Sequence, residues 1–224
     1  FVTAAWLAGH IEDRDVRVIE IGSGKDDEVY RAGHVPGAIW LNWKAACWHE
    51  TDRQFVTPEA MARQFGRLGI GHDTTVVLYG EPIQYGSYAY WSFTMAGHKK
   101  LRLLDGGRKK WAADGHVVSR DISQYGAVDY PVPPGDQPMR VGRREVLAHI
   151  GEPRRLLLDV RSAEEYSGER VIEYAAGFDH GAERGGHIPG AQNMYFREFL
   201  NEDDTIKSAE DIRASFERAG IEPS

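Results

Sequence analysis

A strand, a turn and a capped helix are written twice within 224 residues, and this repetition constrains the fold more than any other feature. The first half reads Val16-Arg17-Val18-Ile19-Glu20-Ile21, then Ala32-Gly33-His34-Val35-Pro36-Gly37-Ala38. The second reads Leu156-Leu157-Leu158-Asp159-Val160-Arg161, then Gly185-Gly186-His187-Ile188-Pro189-Gly190-Ala191. Downstream, Thr57-Pro58-Glu59-Ala60-Met61 matches Lys207-Ser208-Ala209-Glu210-Asp211, and Leu68-Gly69-Ile70 matches Ala219-Gly220-Ile221. Copies of this length each bury a core of their own, so they are two domains and not stacked solenoid units.

Within each copy, strand and helix patterns alternate. Val16 to Ile21 and Leu156 to Val160 are short apolar runs suited to buried strands. Thr57 is placed to cap a helix with Pro58 at its first position, and Ser208 caps its counterpart. Met61, Phe65 and Leu68 fall on one helical face. Thr75 to Tyr79 and Leu101 to Leu104 read as strands, and Tyr85 to Met95 and Arg108 to Asp114 as helices. The alternation predicts α/β domains, each a mostly parallel sheet flanked by helices. The stretch 121–140, with Pro131, Pro133, Pro134 and Pro138, cannot continue a helix and reads as a linker between 1–120 and 141–224.

A net charge of −7 argues against nucleic acid and anionic membranes as partners, because both require a basic face. It also means that any anion site must be built locally. No apolar run approaches ~18 residues, so no membrane-spanning helix is expected, and the first residues lack the pattern of a signal peptide. The single cysteine, Cys47, excludes an internal disulfide and a multi-cysteine zinc site, and it suits a reducing cytoplasm. No metal or cofactor is expected.

At this point the chain resembles the tandem rhodanese family over essentially its whole length. The resemblance rests on a strand ending in Asp159-Val160-Arg161, the doubled His-Pro-Gly-Ala turn, the capped helix, and Leu104-Asp105-Gly106-Gly107 followed by Trp111. It implies transfer of a sulfane sulfur. A cysteine thiolate takes sulfur from thiosulfate or 3-mercaptopyruvate as a persulfide and yields it to cyanide or a thiol. The resemblance further implies that the second copy carries the cysteine while the first is inert. The first copy fits, reading Tyr79-Gly80-Glu81 where an active copy would read Tyr-Cys. In the second copy the matching position falls roughly seven residues past Ser224, so the catalytic half of that domain is expected to be incomplete and the nucleophile to lie just beyond. The remainder is expected either as a separate chain, left by a nick in the exposed loop, or as a further stretch of the same protein.

Arg161, at the end of the second copy's first strand, is a candidate donor to an anionic substrate, with an ion pair to Asp159 or Glu165 as the structural alternative. Glu165 stands where the animal members resemble a second arginine, so that arginine's role does not carry over. Arg170 and Arg184 lie in the long stretch from Gly168 to Gly186, and Arg184 is the candidate replacement cation; the alternative is a solvated loop arginine. Cys47 lies well before the loop and reads as structural. His34 and His187, present in both copies, read as turn-stabilising, and Trp43, Trp48, Trp91 and Trp111 as packing. The reading is a sulfurtransferase, with a small anionic sulfur donor and a thiol or cyanide acceptor as partners. The alternatives are a non-catalytic rhodanese-like interaction or regulatory module, and a phosphatase on the same fold.

Overall fold

The computed structural model describes residues 1–24, 26–48, 54–135, 139–171 and 184–221. The chain divides into two units, Phe1–Met139 with Glu202–Thr205, and Arg140–Asn201 with Ile206–Ser224.

The first unit runs α1 (Ala4–His10), β1 (Val16–Gly22), α2 (Glu28–Ala32), β2 (Ile39–Asn42), α3 (Trp43–Cys47), α4 (Pro58–Arg67), β3 (Thr75–Glu81), α5 (Gln84–Met95), β4 (Leu101–Leu103) and α6 (Gly107–Ala113). Its strands form one parallel sheet in the order β2-β1-β3-β4. Alternate residues of β1 and β3 serve opposite faces, as the two-residue period of a strand requires. Val16, Val18, Val77 and Tyr79 pack with Ala4, Leu7, Tyr30 and Trp111. Ile19, Ile21, Val76 and Leu78 are buried on the other face, with Met61, Phe65 and Phe93 also in the core. Phe65 and Phe93 meet edge to face at 4.9 Å, and truncating a fully buried Phe of this kind costs about 3–5 kcal/mol. Burial on both faces explains why β1 and β3 are mostly apolar along their length, with Arg17 and Glu20 the charged members of β1.

The caps form as the sequence predicts. Thr57 accepts from Ala60 N at 3.2 Å and Ser208 from Asp211 N at 3.1 Å. Of the expected apolar helix face, Met61 and Phe65 are fully buried while Leu68 caps the end and is half-buried. The proline-bearing stretch packs against the first unit. Tyr125 donates to Gly37 O at 2.9 Å and lies under the Arg17 guanidinium, and Tyr130 is buried against His98.

The second unit holds α7 (Arg143–His149), β5 (Leu158–Asp159), α8 (Ala163–Ser167), β6 (Gln192–Asn193), a 3-10 turn at Phe196–Phe199 and α9 (Ala209–Arg218). β5 and β6 are parallel. The strand expected over Leu156 to Val160 is shorter in the structure, because only Leu158 and Asp159 find a ladder partner among the described residues. Val141, Leu147, Leu156 and Val160 are about half exposed. Val141, Leu156 and Leu157 border a groove of about 370 Å³. Among the described residues, no helix is long and apolar enough to cross a membrane.

The two copies share a register. Glu20 pairs with Trp40 across β1 and β2, and Asp159 pairs with Asn193 across β5 and β6. The turns are held alike. Tyr30 stacks on His34 at 3.8 Å and donates to Ala38 O at 2.8 Å. Tyr166 stacks on His187 at 3.7 Å and donates to Ala191 O at 2.7 Å. Each histidine places Nδ1 at 2.8 Å from the carbonyl of its own tyrosine, which fits the turn-stabilising reading. Of the long stretch before His187, residues 172–183 lie outside the described residues.

Candidate functional site

In a parallel sheet the carboxyl ends of the strands carry the site. In the first unit that edge is closed. Tyr79, directly opposite Glu20 in the β1–β3 ladder, donates to Glu20 Oε2 at 2.6 Å and accepts from Val35 N at 3.2 Å. Glu20 is 1% exposed, and its burial raises the carboxyl above its usual range, against the opposing effects of the Tyr79 bond and the Arg108 charge. Glu81 pairs with Arg108 at 2.8 Å, and Arg108 also donates to Val29 O and Gly33 O. The Glu81 carboxylate is thus already paired with a cation of its own unit.

Gly80, where the resemblance places a thiol in an active copy, sits in β3, in register with Ile21. A Cβ there would press on Gly86 N and lie 2.6 and 2.8 Å from Pro82 O and Ile83 O. These are backbone atoms, so no side chain fits without moving the loop. At Gly22, a Cβ would run into the indole nitrogen of Trp40, with its Cε2 at 3.0 Å.

The corresponding edge of the second unit is built differently. Arg161 follows β5 and donates to Asp159 from Nε at 2.9 Å and from Nη2 at 2.6 Å. Nη2 also donates to Gly186 O at 2.8 Å. The Arg161 guanidinium holds the Asp159 carboxyl below its usual range, and the carboxylate in turn raises the guanidinium. Nη1 has no partner among the described residues, and the side chain is 39% exposed. The guanidinium is therefore fixed along one edge and open along the other.

Asn193, opposite Asp159, donates from Nδ2 to Asp159 O at 2.9 Å and to Arg161 O at 2.8 Å. Ser162 caps α8 in a capping box with Glu165: Glu165 N donates to Ser162 Oγ, and Ser162 N donates to Glu165 Oε2. This is where the sequence puts Glu165 in place of the family's second arginine, and its carboxylate serves the helix start. Arg170 donates to Ser162 Oγ at 2.9 Å and to Glu164 at 3.4 Å. Arg184 is exposed, with no hydrogen-bond or ion-pair partner among the described residues, two residues before the Gly186 carbonyl that Arg161 holds.

Cys47 is fully buried, and burial pushes its thiol up to about 12, with a hydrogen bond to Ser92 opposing weakly. It is no nucleophile at neutral pH. Trp43, Trp48, Tyr85, Tyr88, Phe55 and Trp91 form one edge-packed aromatic cluster, and Trp111 is buried with its indole donating to Val117 O. The tryptophans are therefore packing residues. Among the described residues no group of three or more His, Cys, Asp or Glu side chains is placed to hold a metal ion.

Sequence reasoning named Arg161 and its Asp159 alternative but missed Asn193 and the Glu20–Tyr79 pair. The signal for Asn193 was available: Trp40 and Asn193 both stand two residues after the alanine of their turns.

The rhodanese-like domain profile matches residues 3–114 and 143–219. Over 98% of its length the chain is 41% identical to the "Sulfur carrier protein TtuD" of Thermus thermophilus, covering 78% of that protein. It is 36% identical to a Saccharopolyspora erythraea protein named "Putative thiosulfate sulfurtransferase", over 99% of this chain and 77% of that one. Among solved structures, the 3-mercaptopyruvate sulfurtransferase SseA of Escherichia coli superposes with a TM-score of 0.81 at 26% identity, over 99% of this chain and 84% of that one. The structure of YnjE gives a TM-score of 0.80 at 27% identity, over 97% of this chain and 55% of that one.

Proposed function

The chain belongs to the rhodanese-like family, its relatives include sulfurtransferases, and from that premise we propose that it takes a sulfane sulfur from a small anionic donor, thiosulfate or 3-mercaptopyruvate, and delivers it to a thiophilic acceptor such as cyanide or a thiol. The reaction runs through a cysteine persulfide in the second copy, and the first copy is structural. The cytoplasm is its place.

One observation carries this reading. At the same strand edge the first unit presents Gly22 beneath an indole, whereas the second presents a guanidinium with one edge held and one edge open. A planar fork with free N–H groups suits the oxygens of a sulfonate or carboxylate. The sealed Cys47 and the closed Gly80 loop are consistent with a nucleophile elsewhere. Arg184, exposed near the Gly186 carbonyl, supplies a second cation to the same donor.

A second reading is favoured by the relative named as a sulfur carrier. In it the persulfide passes to a protein acceptor, and turnover with cyanide is slow.

The test is sulfur transfer from thiosulfate and from 3-mercaptopyruvate by the full-length protein, with cyanide and with a dithiol as acceptors. Arg161→Ala is expected to lower kcat/KM for the donor by roughly ten- to a hundred-fold, as loss of a charge-assisted contact would. No transfer from either donor to either acceptor would leave the non-catalytic module as the better reading.

A further inference from the structure

Building on the reading of Arg161 as the donor anchor, we propose that Asn193 is a positioning residue for it, acting through the backbone of the strand end. Among the described residues β5 and β6 share two residue pairs, the second of them Asp159 with Asn193. Two backbone donors from β6 and its continuation reach across, Met194 N to Asp159 O and Phe196 N to Val160 O. The carbonyl of Arg161 itself receives neither. Asn193 supplies the missing bond, because one amide nitrogen donates to Asp159 O and to Arg161 O together. It thereby spans the two residues whose side chains form the anchor.

The geometry of the pair makes this consequential. The guanidinium meets Asp159 along its Nε–Nη2 edge, so the direction of the free Nη1 edge follows the relative placement of the two Cα atoms. Gly186 O fixes Nη2 from the side, but it constrains the head of the side chain and not its base. A shift of the strand end rotates the open edge away from where a donor oxygen would sit, and orientation of this kind is what a binding contact depends on.

The first unit serves as an internal control. There the same register position is Trp40, which offers no donor to two carbonyls and whose ring covers Gly22, the counterpart of Arg161. The position holds an asparagine where there is an arginine to aim and an indole where there is none.

The experiment uses the full-length protein and separates the two half-reactions, since a persulfide enzyme exchanges its substrates one after the other. Asn193→Ala is expected to lower kcat/KM for thiosulfate roughly five- to ten-fold, in line with losing one or two hydrogen bonds, while kcat/KM for the acceptor stays within two-fold. Asn193→Leu keeps the approximate size and removes the N–H donors without setting an oxygen against the two carbonyls, so it should give the same split with a cooperative melting curve. In an Arg161→Ala background, Asn193→Ala should add no further loss, because residues acting as one unit do not add. An equal fall in both half-reactions, or full additivity with Arg161→Ala, would overturn the positioning role while leaving Arg161 as the anchor. If Arg161→Ala itself leaves donor kinetics unchanged, the anchor reading fails, and this inference fails with it.

Discussion

Tyr79 donates its phenolic hydrogen to Glu20 across 2.6 Å, from one interior strand to the next, on the face that also buries Tyr30 and Trp111. Burial raises the carboxyl, and the hydrogen bond it accepts from Tyr79 offsets that rise only in part.

Glu20 therefore sets a pH dependence of known sign. Its carboxyl ionises in the unfolded chain near the ordinary value of 4.5 but only at higher pH in the folded protein. The stability it contributes is full below 4.5 and declines as pH rises through the folded value. Glu20→Gln should remove that decline. Urea unfolding of both forms from pH 4.5 to 8 checks it, and two parallel stability curves would contradict it.

His98 works in the opposite direction. Burial lowers it from 6.5 to about 4, although a bond to Thr74 O opposes the shift. The unfolded chain takes up a proton below 6.5 and the folded protein resists until about 4. Stability is therefore complete above 6.5 and is lost as pH falls toward 4, by about 3 kcal/mol in all. His98→Gln should flatten this limb. Between 4.5 and 6.5 the two groups oppose each other, so each is read only against its own variant.

A thiol placed at Gly80 should not make the first copy active. The added Cβ meets the backbone of Pro82, Ile83 and Gly86, and overpacking of this kind costs about 1–3 kcal/mol. Gly80→Cys is expected to melt several degrees lower and to form no persulfide with thiosulfate, as mass spectrometry would register. A stable persulfide at that position would mean the loop opens readily.

Cys47 should be inert in the native protein. With its thiol raised to about 12 and fully buried, reaction with a disulfide reagent at pH 8 should proceed only on unfolding, and should become immediate in denaturant. Cys47→Ser in the full-length protein should leave turnover within a few-fold.

The parts of the fold that were legible in the sequence are those fixed by local rules. The buried strands β1 and β3 announce themselves as apolar runs, α4 by Thr57 and Pro58, α9 by Ser208, and the paired turns by repetition. The short elements α1, α2, α3 and β2 passed unnoticed, because four to seven residues show too little of a period to stand out. In the site, the Arg161–Asp159 pair was within reach because its members are two residues apart. Tyr79 and Glu20 are joined only by the ladder between β1 and β3, and Asn193 reaches Asp159 only through β5 and β6. Such contacts depend on register, which a single chain reveals only when its halves are laid over each other.

The indole over Gly22 ties two positions of the first half together. Within the first copy, Gly22 to a long cationic side chain meets the Trp40 ring, while trimming Trp40 alone uncovers a bare glycine backbone. Neither exchange is useful without the other. A cation at the first half's strand edge therefore takes two coordinated substitutions, one at Gly22 and one at Trp40.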